Sequence, residues 1–129
     1  MSNVPENLKY TADHEWAILE SDGTVRIGIT DHAQKQLGDL VFVEMPDVGG
    51  RFTAGEPCGS VESVKAVAEF FCPVSGTVIA RNEELNGSPE LINDEPYSGG
   101  WIFTIRPDSA ADFDRLLDAA AYTKLLTEE

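Results

Sequence analysis

The run GSVESVKAVAEFFCPVSGTV, from Gly59 to Val78, decides how this chain folds. Within it Val61, Val64 and Val67 recur every three residues, a spacing that alone suits one face of a helix. Its β-branched content fits a pleated strand better. Gly59 stands at its start and Pro73 cuts it off. The stretch therefore predicts a β-hairpin with Lys65 at its turn, stopped at Cys72-Pro73-Val74-Ser75-Gly76.

Short strands extend the pattern on both sides. Upstream, AILE, the turn Ser21-Asp22-Gly23 and TVRIGIT, with Val25, Ile27 and Ile29 alternating, predict another hairpin. Thr30 or Asp31 is placed to cap a short helix, DHAQKQL, with Gly38 closing it in the left-handed conformation. DLVFVEM is a strand ended by Pro46 and Gly49-Gly50. Downstream, TVIARN is a strand, Ser88-Pro89 opens one helical turn, and GWIFTIRP is the last strand, with Trp101, Phe103 and Ile105 expected on one face. After Pro107, Asp108 or Ser109 caps one helix with an apolar stripe of Phe113, Leu116, Leu117, Ala120 and Leu125. GDLVFVEMPDV from Gly38 and GTVIARNEEL from Gly76 echo one another as glycine, strand, polar turn and apolar residue, as two similar halves of a sandwich would. The expected fold is all-β dominated, a small β-sandwich or barrel with short helices and a C-terminal helix.

A chain of 129 residues is most simply one domain, 1–129, with a core of about 17–107, an N-terminal extension 1–16 and the C-terminal helix at about 108–126. Nine Lys+Arg against 23 Asp+Glu give a formal charge of −14, which repels DNA and anionic membranes, so neither is an expected partner. The acids are spread among ordinary apolar residues, and 42% hydrophobic content argues for a folded protein. MSNVPENLKY carries no secretory or transit pattern, which sets the expectation of a cytoplasmic protein. Cys58 and Cys72 form no Cys-x-x-Cys pair, and with His14 and His32 give no zinc spacing, so two buried reduced thiols and no metal site are expected.

Lys65 is one of four lysines, with Lys9, Lys35 and Lys124. An exposed lysine on a strand or turn discourages edge-to-edge aggregation, which is one use for it. Glu62 and Glu69 flank it, and acidic neighbours hold an amine in its charged form, the reverse of what a Schiff-base nucleophile needs. An exposed amine on a rigid turn suits modification by another enzyme.

The segment around ESVKA resembles the attachment segment of lipoyl-type carrier domains, with Pro73 to Gly76 as the downstream stop. Biotinyl domains place methionines beside the lysine, where this chain has Val64 and Ala66. LKYTADHEWA, IGITDHAQKQLGDLVFVEMPDVG, ESVKAV, PVSGTV, SPELINDEPY, GWIFTI and AAAYTKLL together resemble the glycine cleavage system H protein family over nearly the whole length. That resemblance implies a barrel-sandwich hybrid of the lipoyl-domain type and a carrier that is not itself an enzyme. It implies lipoic acid on Lys65 as lipoyllysine. The implied partners are a pyridoxal-phosphate glycine decarboxylase, an aminomethyltransferase using tetrahydrofolate, a flavin-dependent dihydrolipoyl dehydrogenase and a lipoyl-attaching enzyme, with the carrier itself a monomer. The alternative that uses the same lysine is a lipoyl donor in a relay to 2-oxo acid dehydrogenases.

The resemblance also implies a cleft that shields the arm's tip. In it the glutamate of His-Glu-Trp, here Glu15, holds the loaded amine, with Asp13 and Glu69 as further acids. Some relatives carry a histidine at the end of the DHAQ helix, where this chain has Gln36, a residue that hydrogen-bonds but takes no proton. Whether His32 takes that part, or is a first-turn surface histidine, stays open. Glu62, Ser63 and Ala66 are expected to serve recognition by the attaching enzyme, and Trp16 and Trp101 to be core or half-buried anchors.

Overall fold

The computed structural model describes residues 3–128; Met1, Ser2 and Glu129, the outer limits of the single-domain assignment, lie outside them. In chain order the strands are β1 (Lys9–Tyr10), β2 (Glu15–Leu19), β3 (Val25–Ile29), β4 (Leu40–Glu44), β5 (Arg51–Phe52), β6 (Pro57–Ser63), β7 (Val67–Phe71), β8 (Gly76–Arg81) and β9 (Phe103–Pro107). Helix α1 (Asp31–Leu37) follows β3, α2 (Leu91–Asp94) follows a 3-10 turn at Glu83–Asn86, and α3 (Ala110–Asp114) and α4 (Ala119–Glu128) follow β9. The strands form two sheets, ordered β1-β2-β3-β9-β8-β5 and β4-β6-β7.

The alternation in TVRIGIT does what period-two patterning requires. Val25, Ile27 and Ile29 are buried in the core between the sheets, with Phe103 and Ile105 of β9. Ile27 is registered against Phe103 and Val25 against Ile105. Val43, Val61, Phe70 and Cys72 enter the same core from the small sheet and its end. The opposite face of the large sheet carries a second cluster of Leu8, Tyr10, Trp16 and Tyr122, so α4 covers that side. Trp16 lies over Gly28, its register partner on β3, where an added Cβ would stand 2.6 Å from the indole Nε1.

Thr30 caps α1 as expected, its hydroxyl accepting the Ala33 N–H. Gly38 ends the helix at φ 83 and ψ −160, so it is not in the left-handed helical well; it occupies a region open essentially to glycine alone. Two other expectations are corrected. The C-terminal helix is not continuous: Leu117 exchanges both backbone hydrogen bonds with Tyr10, which takes that residue out of any helix. The chain restarts at Asp118, whose carboxylate accepts the Ala121 N–H at 2.8 Å. Trp101 does not share the face of Phe103 and Ile105. It precedes β9, belongs with the second cluster, and stacks under the Arg26 guanidinium at 4.7 Å. The amide of buried Asn82 donates to the Gly99 and Trp101 carbonyls and so fixes the bend before the strand.

The faint echo has a structural counterpart. β4 lies in the small sheet and β8 in the large one, and each carries a register irregularity at the same place. One falls between Leu40 and Phe42 opposite β6, the other between Val78 and Ala80 opposite β9.

Candidate functional site: the lysine turn and the cleft beside α1

β6 and β7 pair antiparallel and leave Val64, Lys65 and Ala66 as the connection. Ser63 is buried and closes this turn. Its N–H donates to the Ala66 carbonyl at 2.8 Å, and its hydroxyl accepts the Lys65 and Ala66 N–H groups at 3.2 and 3.0 Å. The Val64 N–H reaches the Asp39 carbonyl, 3.1 Å away in the connection between α1 and β4. The turn is therefore tied to its own strand and to a neighbouring loop.

Lys65 is exposed at the apex, and among the described residues its ammonium enters no ion pair. Its Cε lies 3.6 Å from where a side chain on Gly38 would begin, so the lysine stem passes over the end of α1. Val64 and Val67 beside it are 71% and 67% exposed, apolar side chains held out in water. Phe42, Glu62 and Val67 stand in register across the three strands, all exposed, so this outer row mixes apolar surface with an acid. Of the residues expected to serve the attaching enzyme, Glu62 and Ala66 are exposed, while Ser63 is buried in shaping the turn.

Along the flank of α1 runs a cavity of about 170 Å³. Ala33, Gln36 and Leu37 of α1 form one wall, Ile29 another, and Val61, Ala68 and Phe70 of the small sheet a third. Asp13, Glu15 and Glu69 all line it, so the structure brings together the three acids singled out from the sequence, with Gln36 beside them. Asp13, Glu69 and Gln36 are exposed, whereas Glu15 is 2% exposed.

Glu15 is held on both oxygens. The Thr11 hydroxyl donates to Oε1 at 2.6 Å, and the Phe71 N–H, on the edge strand β7, donates to Oε2 at 3.1 Å. Burial pushes its carboxyl up to about 7, an effect the two hydrogen bonds oppose and nearby Asp13 reinforces. A group poised there takes or gives up a proton easily at neutral pH.

Thr11 was not singled out from the sequence. It reaches Glu15 because the chain doubles back at β2, the Thr11 N–H bonding the Glu15 carbonyl, and His14 adopts φ 71 in that reversal. His14 Nδ1 is 2.8 Å from the Tyr122 hydroxyl, and its ring lies 4.6 Å from that of His32. His32 thus sits at the start of α1 beside His14, and it is not among the residues lining the cleft.

The model of the family described as glycine cleavage H-protein matches residues 8–129. The chain belongs to the glycine cleavage H-protein family. It is 54% identical to the glycine cleavage system H protein of Citrobacter koseri and 53% identical to that of Escherichia coli K12 (strain DH10B), in each case over 129 residues and the whole of both chains. A crystal structure of a glycine cleavage system H protein from Mycobacterium marinum superposes with a TM-score of 0.88 at 40% identity, covering 96% of this chain and 99% of that one. The two open sheets are the lipoyl-domain-type sandwich, not a closed barrel. H-proteins are carrier components of the glycine cleavage system and not enzymes.

The residues present fit a lipoyl group. An exposed amine in no ion pair among the described residues is available for acylation, and the cleft beside it offers Ala33, Leu37 and Ile29 to an apolar ring and three acids to a cation. α1, seven residues long, spans only about 10 Å between the Lys65 turn and the His14 end of the cleft.

Proposed function

We propose that Lys65 carries lipoic acid in amide linkage and that this H-protein shuttles the aminomethyl group of glycine from glycine decarboxylase to aminomethyltransferase, and electrons to dihydrolipoyl dehydrogenase. The observation that carries this reading is the exposed Lys65 amine, in no ion pair among the described residues, on a turn closed by Ser63. The bound lipoyl group supplies a dithiolane that accepts the aminomethyl unit and is recovered as a dithiol.

The chain's own residues provide reach, shelter and address. Ser63 and Asp39 fix where the arm begins. Ala33, Leu37 and Phe70 wall off water from a group in the cleft. Glu15 ionises against the cargo's ammonium, with Asp13 and Glu69 adding negative potential at the rim. Val64, Val67 and Phe42 around the lysine, with Glu62 among them, form the contact surface for the partner enzymes and for the lipoyl-attaching enzyme. The bacterial relatives support a place in the cytoplasm.

The test is the intact mass of protein purified from cells that make lipoate, beside its Lys65→Arg variant. Wild type is expected to carry one lipoyl mass and the variant none. Endogenous wild-type protein without that mass overturns the reading.

A further inference from the structure

Asn93 lies in α2, far along the chain from Lys65, yet its side-chain amide is spent on the segment that holds the lysine turn. Its Oδ1 accepts the Leu40 N–H at 2.9 Å, and its Nδ2 donates to the Gly38 carbonyl at 2.9 Å and to Gln34 Oε1 at 3.0 Å. Gln34 is itself buried and held by Asp31, which accepts from its Nε2 at 2.8 Å. One side chain therefore ties together the middle of α1, the glycine that follows the helix and the first residue of β4.

Between the two clamped backbone groups stands Asp39, whose carbonyl accepts the Val64 N–H at the start of the turn. Gly38, which gives its carbonyl to Asn93, is the residue over which the Lys65 stem passes. Without Asn93, the Gly38 conformation at φ 83 and ψ −160 would rest on the helix-end bond from its N–H to the Gln34 carbonyl.

Resting on the reading that Lys65 is the lipoylated residue, we infer that Asn93 is a positioning residue for the Lys65 turn: it sets the Gly38–Leu40 connection and, through Asp39, the fraction of molecules whose lysine is presented to the attaching enzyme. It touches neither lysine nor cofactor. A residue acting this way lowers the population of the competent turn, which raises the apparent KM for the protein as substrate and leaves kcat alone.

The experiment uses the unmodified full chain with a lipoyl ligase, lipoic acid and ATP. Asn93→Ala removes all three bonds. Asn93→Asp, of the same size, keeps the acceptor for Leu40 and loses both donors, and it serves if the alanine variant does not fold. Losing the clamp is expected to speed hydrogen exchange at the Val64 amide, and to raise KM for the protein, by about tenfold, the factor that goes with about 1.4 kcal/mol. Exchange across β3 and kcat stay at wild-type values, which a general loss of stability would not allow. Wild-type exchange at Val64 in a folded variant overturns the inference, and so does faster exchange with an unchanged KM. Failure of the ligase to modify wild type at Lys65 sinks the functional reading instead, and the Val64 exchange still decides whether Asn93 holds the turn.

Discussion

At the scale of single residues, Glu15 does two things that pull in opposite directions. Its carboxylate accepts an N–H from an edge strand and a hydroxyl from Thr11, which favours the ionised form, yet its burial favours the neutral one and wins. The folded protein keeps that proton up to about pH 7, while the unfolded chain releases it near the ordinary value of 4.5. Native protein therefore binds more protons across that window, and stability falls as pH rises through it, by on the order of 3 kcal/mol. Asp22, Asp31 and Asp108, shifted downward, act in the opposite sense and below this window. The melting temperature of Glu15→Gln is expected to lose that part of the decline between pH 4.5 and 7. A variant whose pH profile parallels wild type contradicts the placement of the buried charge. Under the proposed function, in which Glu15 holds the cargo's ammonium, the same variant in its loaded form is expected to release formaldehyde faster, and an unchanged release rate counts against that contact. Sequence could name Glu15, Asp13 and Glu69, since a resemblance transfers identities. It could not show that Glu15 is sealed under Thr11 while the other two stand at the rim, because burial depends on how β2 doubles back.

At the scale of elements, α1 and the β6–β7 hairpin work as one unit. Gly38 belongs to both: it ends the helix and lies under the lysine stem. The space at Gly38 would admit a Cβ, with Lys65 Cε at an ordinary contact distance of 3.6 Å, so the barrier to substitution is backbone conformation. Gly38→Ala is expected to cost about 1–3 kcal/mol, read as a lowered denaturant midpoint at an unchanged slope. A midpoint equal to wild type would show that the helix end has another conformation within easy reach. The hairpin itself was legible because β-branched residues, Gly59 and Pro73 outvoted a three-residue valine period. The C-terminal helix was legible only in part. Its expected stripe divides: Phe113 and Leu116 pack on the core between the sheets, Leu117 and Leu125 join the outer cluster, and Ala120 is exposed, because the break at Leu117 comes from pairing with Tyr10 at the other end of the chain and no local pattern encodes that. Trp101 failed for a related reason: strand alternation was extended two residues past the point where Asn82 bends the backbone.

At the scale of the whole molecule, two cores share the large sheet as a common wall. The inner one joins the sheets; the outer one is a cap in which Tyr10 and Tyr122 stack at 4.6 Å and the Tyr122 hydroxyl bonds both His14 and Thr30 at 2.8 Å. α4 is thereby fastened to the reversal before β2 and to the cap residue of α1, which meet at one end of the cleft wall, where the Thr30 N–H also donates to the His14 carbonyl. Tyr122→Phe keeps the ring and removes both bonds, with an expected loss of about 1–3 kcal/mol in unfolding free energy by denaturant titration. Unchanged stability would mean that the cap is held by its apolar contacts alone. The matching irregularities of β4 and β8 reach further. Leu40, Phe42 and Val43 face Ser63, Glu62 and Val61 in the same stepped order in which Val78, Ala80 and Arg81 face Ile105, Thr104 and Phe103. The two strands thus repeat one local arrangement in different settings: where the partner of β4 runs on into the lysine loop, the partner of β8 ends at Pro107 and hands the chain to the closing helices. Each step offsets its strand by one place against its neighbour, so a change that straightened either of them would turn alternate side chains to the wrong face of that sheet and leave the other sheet in register.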